Sequence, residues 1–90
     1  MSLKKTYTGN TSDTFDHNGG AGVIAVAYAN GTGTITLSHP VGGVDVTIDS
    51  FTAAGGARFF SPMGTLKVAA SSTGGSPSIH VEVQPLSSIG

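Results

Sequence analysis

His17, His39 and His80, with Asp13, Asp16, Asp45, Asp49 and Glu82, are the side chains best able to hold a metal or move a proton. Their spacing organises little of that chemistry. The histidines are scattered along the chain, without the short ligand spacing of zinc sites. His80 and Glu82 stand two apart and share one face of a strand. Asp45 and Asp49 do likewise, but two residues at i and i+4 on a strand are about 13–14 Å apart. That is too far for the carboxylate pair of a glycosidase, so a solvated face is expected. Asp13 and Asp16, near Asn10 and Asn18, carry oxygens that calcium accepts, yet no EF-hand loop surrounds them and turn formation accounts for them. No G-x-S-x-G elbow occurs, and with no cysteine there is no Cys/His pair or thiolate metal site. The glycine pairs at 19–20, 42–43, 55–56 and 74–75 open no helix, so they cradle no phosphate. The expectation is a protein that is not an enzyme and has no cofactor and no metal.

The elements that would position these residues are strands. Asn30-Gly31 stands between two alternating apolar runs and tolerates the positive φ angles of a type I′ turn. A two-residue turn there sets Val26 opposite Ile35 and Ile24 opposite Leu37, with both apolar sets on one side. A slip of one residue would set Val26 against a threonine. Residues 21–29 are nearly all apolar and read as a central strand buried on both faces. The alanines at 25, 27 and 29 suit close approach of a second layer or subunit. Residues 32–39 alternate, with Ile35 and Leu37 inward. In 44–51, Val44, Val46 and Ile48 share one face and Asp45, Thr47 and Asp49 the other. Residues 12–17 (Phe15 inward), 57–61, 65–71 (Leu66, Val68, Ala70) and 78–85 (Ile79, Val81, Val83) complete the set. Residues 40–43, 52–56 and 72–77 read as loops.

Residues 1–8 are expected as an N-terminal arm or edge strand, with Leu3 and Tyr7 as apolar anchors and lysines guarding the edge. Residues 9–90 form one β-sandwich domain. The fold class is therefore all-β: about eight short antiparallel strands in a jelly-roll-like β-sandwich.

Composition agrees with that class. Charged residues make up 10% of the 90, the net charge is −1, and hydrophobic content is 38%. Four basic residues do not make a phosphate-binding patch, so no nucleic acid partner is expected. No apolar run approaches the ~20 residues of a membrane span, and MSLKKTYTG lacks the apolar core of a signal peptide. No membrane partner is expected, and synthesis in a cytoplasm is. A domain this small without disulfides gains stability most readily by self-association. Glycan binding, common among small β-sandwiches, relies on exposed aromatics. Here there is no Trp, and Tyr7 and Tyr28 are the aromatics not assigned to the core.

The pattern of the whole chain carries a resemblance. The Y-T-G-N opening, GGAGVIAVAYANGTGTITL, VDVTIDSFTAAGG, the GTLKVAAS strand and the closing SIHVEVQPL resemble small β-sandwich virion proteins of tailed bacteriophages. They are most like capsid decoration, or cement, proteins. The resemblance implies jelly-roll domains that sit as homotrimers on the outer surface of the head, where capsomers meet. The partners would then be the chain itself and the major capsid protein. The protein would be made in the host cytoplasm and placed in the virion. Leu3, Tyr7, Tyr28, Phe59 and Phe60 are the candidate subunit or capsid contacts. Of the adjacent Phe59 and Phe60, one must point away from its own core in a regular strand. The alternative is a tail or fibre adhesin module that binds a host-surface glycan through Tyr28 or Tyr7.

Overall fold

The computed structural model describes residues 3–86. Within them the chain forms six antiparallel strands and no helix: β1 (Leu3–Tyr7), β2 (Thr11–His17), β3 (Gly20–Val41), β4 (Val44–Phe51), β5 (Gly55–Ser61) and β6 (Gly64–Pro85). Residues 1–2 of the expected arm and 87–90 of the expected domain lie outside the described residues.

Two of these strands run for 22 residues each, and they explain why there are six rather than about eight. Asn30-Gly31 is not a hairpin turn. β3 continues through it, because β6 runs antiparallel beside β3 from Gly22↔Pro85 to Ser38↔Lys67. The residues expected to face one another therefore have other partners. Val26 pairs with Val81 and Gly55, and Ile35 pairs with Ala70 and Phe51. At the expected turn the β3–β6 register slips three times between Tyr28 and Thr34, and both strands bend. Residues 72–77, expected as a loop, are the matching bend of β6, with Ser72, Gly75 and Ser76 at positive φ.

The bends divide the pairing into two groups. Residues 20–28 of β3 lie between β5 and the last part of β6, whose other neighbour is β1. Residues 34–41 lie between β4 and the first part of β6, whose other neighbour is β2. One apolar core draws on both groups. Leu3, Tyr7, Ile24, Val26, Phe59, Ile79, Val81 and Val83 come from the first, and Phe15, Ile35, Leu37, Leu66, Val68 and Ala70 from the second. All are within 8% of full burial, and each large one contributes about 1.5–3 kcal/mol relative to exposure.

Polar side chains hold the two bends together. The Tyr28 hydroxyl donates to the Gly33 carbonyl at 2.6 Å and to that of Phe51 at 3.3 Å. Asn30 Nδ2 donates to the Ser76 carbonyl at 2.9 Å. Asn10 Oδ1 accepts from the Thr73 amide and hydroxyl at 3.0 and 2.8 Å. A two-residue β3–β4 hairpin sits elsewhere, closed by Val41↔Val44 with Gly42 (φ 60) and Gly43 (φ 83) at positive φ. The strand thus extends through Pro40, which was expected in a loop.

β1 is an edge strand in its own chain, paired from Leu3↔Val83 to Tyr7↔Ile79. Tyr7 is buried, and its hydroxyl makes no hydrogen bond of good geometry, with the Asp13 carboxylate beside it. Burial first, and the nearby Asp13 carboxylate second, push its ionisation above the ordinary 10.0, and burial pushes Tyr28 the same way. A phenol whose folded-state pKa exceeds the unfolded one contributes stability that is present below pH ~10 and is lost as pH rises beyond it. Tyr7→Phe should therefore flatten the alkaline fall in urea midpoint. It should cost little at pH 7, because Asp13 is partly exposed and keeps its ion pair with Lys5 at 3.8 Å. Equal alkaline slopes for the two proteins would show that Tyr7 does not drive the loss.

Candidate functional site

The histidines and carboxylates do not converge. His17 is inside the core, donating from Nε2 to the Gly20 carbonyl at 3.1 Å, with its ring 5.3 Å from that of Phe59. His39 is half-buried at the far end of β3. His80 is exposed, with Nδ1 2.9 Å from Thr6 Oγ1. Among the described residues no three His, Cys, Asp or Glu side chains lie close enough to share a metal. Asp45 and Asp49 do not form the single outer face that alternation predicted. A bulge sets Thr47 opposite Ser38 but Asp49 opposite Leu37, and these two partners are consecutive on β3. Asp45 pairs with Lys67 at 3.1 Å, and Asp49 Oδ1 accepts from the Ser50 amide at 2.8 Å.

The five candidate contacts separate by burial. Leu3, Tyr7 and Phe59 belong to the core. β1 and β5 each pair with a long strand, so their inward positions face that core. Tyr28 is half-buried, with its hydroxyl committed to the bend. Leu3, Tyr7 and Phe59 thus present no open surface, and Tyr28 presents part of its ring. Phe60 is the one presented to solvent, at 76% exposure, which is the outcome strand alternation requires of one of the two phenylalanines.

Phe60 belongs to a face that residue types alone did not outline. Residues directly opposite in an antiparallel pair share a face, so the register can be read across the strands. Ala21 stands beside Phe60, and Val23 between Gln84 and Arg58. Ala25 and Glu82 lie in one row with Lys4, and Ala27 and His80 in another with Thr6. The alternation in β3 buries Gly22, Ile24 and Val26 and exposes Ala25, Ala27 and Ala29. Residues 21–29 are thus buried on one side, not both. With only methyl groups on β3, the rows leave a trough of about 360 Å³ bounded by Lys4, Thr6, Ala25, Ala27, His80 and Glu82. Lys4 and Glu82 are 3.5 Å apart across its rim. The sequence had set His80 and Glu82 on one face and offered the alanines to a second layer or subunit; the i, i+2 spacing of Arg58 with Phe60 is the signal it left unused.

A second exposed apolar group lies at turns. Val41, Val44 and Val46 flank the β3–β4 hairpin at 56%, 66% and 48% exposure, and Met63, between β5 and β6, is 76% exposed. The valines were expected to share a face with Ile48. Ile48 does pack on the core, but the hairpin beyond the bulge extends past it.

No protein-family description matches the chain, and no curated protein matches it. Solved structures do. The Yersinia pseudotuberculosis-derived mitogen has a similar fold, with a TM-score of 0.66 at 12% identity over 97% of this chain and 86% of that one. A de novo designed double-stranded β-helix superposes with a TM-score of 0.52 at 13% identity, over 96% of this chain and 99% of the design. At such identities the likeness establishes an all-β, antiparallel fold.

Proposed function

We propose that this chain is a non-enzymatic structural protein of a tailed-phage particle: a head decoration protein that stabilises the capsid as a homotrimer. The observation that carries the reading is apolar surface left open on a domain whose own core is complete. Phe60 lies on one sheet face, and Val41, Val44, Val46 and Met63 lie at turns. Two separate open groups suit a protein that touches both its own copies and a shell. The resemblance of the residue pattern supplies the phage setting and the outer surface of the head. A cement protein works by adding buried area across capsomer boundaries, which needs contact surface rather than a catalytic pocket.

The finer architecture belongs to the same proposal. The two pairing groups, each of four strand segments, stack as the layers of a jelly-roll-like sandwich. A smallest extent of 16 Å across the Cα atoms suits two sheets ~10 Å apart, and the likeness to a double-stranded β-helix points the same way. The glycan-binding alternative is weakened by the burial of Tyr7 in the core and by the half-burial of Tyr28, whose hydroxyl is bonded to the backbone.

Two measurements test the function. The purified chain should have three times its monomer mass at micromolar concentration, and a persistent monomer would overturn the trimer. Particles should carry hundreds of copies on the head. A few dozen or fewer, located at the tail, would overturn the decoration role.

A further inference from the structure

Phe60 and the trough occupy different parts of one outer face. Phe60 is on edge strand β5, opposite Ala21, while the trough lies between β1, β6 and β3 around Ala25 and Ala27. Along β3 these positions are four to six residues apart, or about 13–20 Å. A phenyl ring does not span that distance, so within one chain the knob cannot fill the socket. Between two chains it can. We infer that Phe60 of one copy seats in the alanine-floored trough of a second copy of this chain, with Arg58 meeting Glu82 across the contact. This rests on the self-assembly part of the function proposed above and not on its phage setting.

Shape and charge both favour a second copy as the occupant. A 76%-exposed phenyl ring is a rigid anchor, and seating it against methyl groups removes apolar area from water on both sides. The trough volume of about 360 Å³ accommodates the ring between the Lys4–Glu82 and Thr6–His80 pairs. Arg58 stands two residues before Phe60 on the same face. Among the described residues it is the one Lys or Arg without an ion pair, since Lys4 meets Glu82, Lys5 meets Asp13 and Lys67 meets Asp45. Glu82, at the socket, is held in its own chain only by an exposed lysine at 3.5 Å. A knob carrying a free cation thus matches a socket carrying a weakly held anion.

With the knob on the β5 edge and the socket on the β1 side of one face, the contact can close reciprocally as a two-fold dimer or run head-to-tail into a ring, and the three-fold assembly takes the second form. That geometry is consistent with a three-fold assembly and does not need the N-terminal strand to swap.

Sedimentation of the full chain across micromolar concentrations tests the contact. Phe60→Ala should raise the dissociation constant at least ~30-fold. Arg58→Glu and Glu82→Arg should each weaken association about tenfold, and the double variant should regain most of that loss. Arg58 and Phe60 are exposed and Glu82 lies at the rim, so the urea midpoint of the dissociated protein should stay close to wild type, separating assembly from folding. A wild-type monomer at every concentration would overturn this contact and the trimer together. A wild-type trimer that Phe60→Ala leaves intact would overturn the contact alone. A wild-type dimer that Phe60→Ala dissociates would support the contact and overturn the three-fold reading.

Discussion

Gly31→Ala should destabilise this protein by at least ~4 kcal/mol at 25 °C. A Cβ at Gly31 would stand 2.5 Å from the Gly74 carbonyl oxygen and 2.6 Å from Pro77 Cα. Both are backbone atoms of the β6 bend, so no rotamer change relieves the clash. The φ of 74° adds a left-handed penalty. Relief would require parting the two bends, and with them the Asn30 bonds to β6 and the Tyr28 bond to Gly33. Losses beyond ~4 kcal/mol arise when a site cannot relax, and a domain of this size has only about 5–13 kcal/mol in total. Gly42→Ala is the matched control. Its φ is also positive, at 60°, but nothing lies within 4 Å of the added carbon, so it should cost about 1–2 kcal/mol. Urea midpoints of the two variants decide the matter. Similar losses would mean that the crossing of β3 and β6 is not what demands glycine at 31.

That contrast also identifies what local sequence could not convey. Asn30-Gly31 does signal a backbone position at positive φ, and Gly31 adopts one. A hairpin and a bend in a continuous strand share that requirement, and the difference lies in what runs alongside. β6, more than thirty residues further on, pairs with β3 across both sides of the bend, a non-local fact that no dipeptide encodes. The period of two fared better because it is local. Ile24 and Val26 do point inward, as do Ile35 and Leu37. They share one core cluster, but each has other strand partners than the ones the hairpin would have given. Where alternation failed, in β4, a bulge had changed the count.

The site was legible to the same degree. Alternation required Phe59 and Phe60 to point opposite ways, and they do. It did not say that β1 would pair with β6 in its own chain, which buries Leu3 and Tyr7 in that chain's core. Nor did it tell a strand buried on both faces from one whose outer methyl groups floor a trough. That depends on whether anything covers Ala25 and Ala27, and nothing within the described residues of this chain does.

Gly22→Ala should cost about 2–3 kcal/mol and reach the surface through a single side chain. Gly22 and Phe59 are directly opposite in the β3–β5 register, and the Phe59 ring lies over the glycine. An added Cβ would stand 2.4 Å from Cζ and 2.8 Å from Cε2. Unlike the atoms around Gly31, these belong to a side chain, so the ring is pushed aside instead of the fold being broken. It has little room to move, being 4% exposed and packed against His17. Forcing a methyl group into such packing costs ~1–3 kcal/mol. A smaller side chain at 59 should relieve the crowding, so Gly22→Ala with Phe59→Leu should be more stable than the sum of the single losses by at least ~1 kcal/mol. Strict additivity in urea unfolding would show that the ring and the glycine are not coupled. The same displacement bears on function, because Phe60 follows Phe59 on a strand whose inward anchor would have shifted. Under conditions where the Gly22→Ala protein is fully folded, its self-association should still be weaker than wild type, and the Phe59→Leu double variant should recover part of the difference.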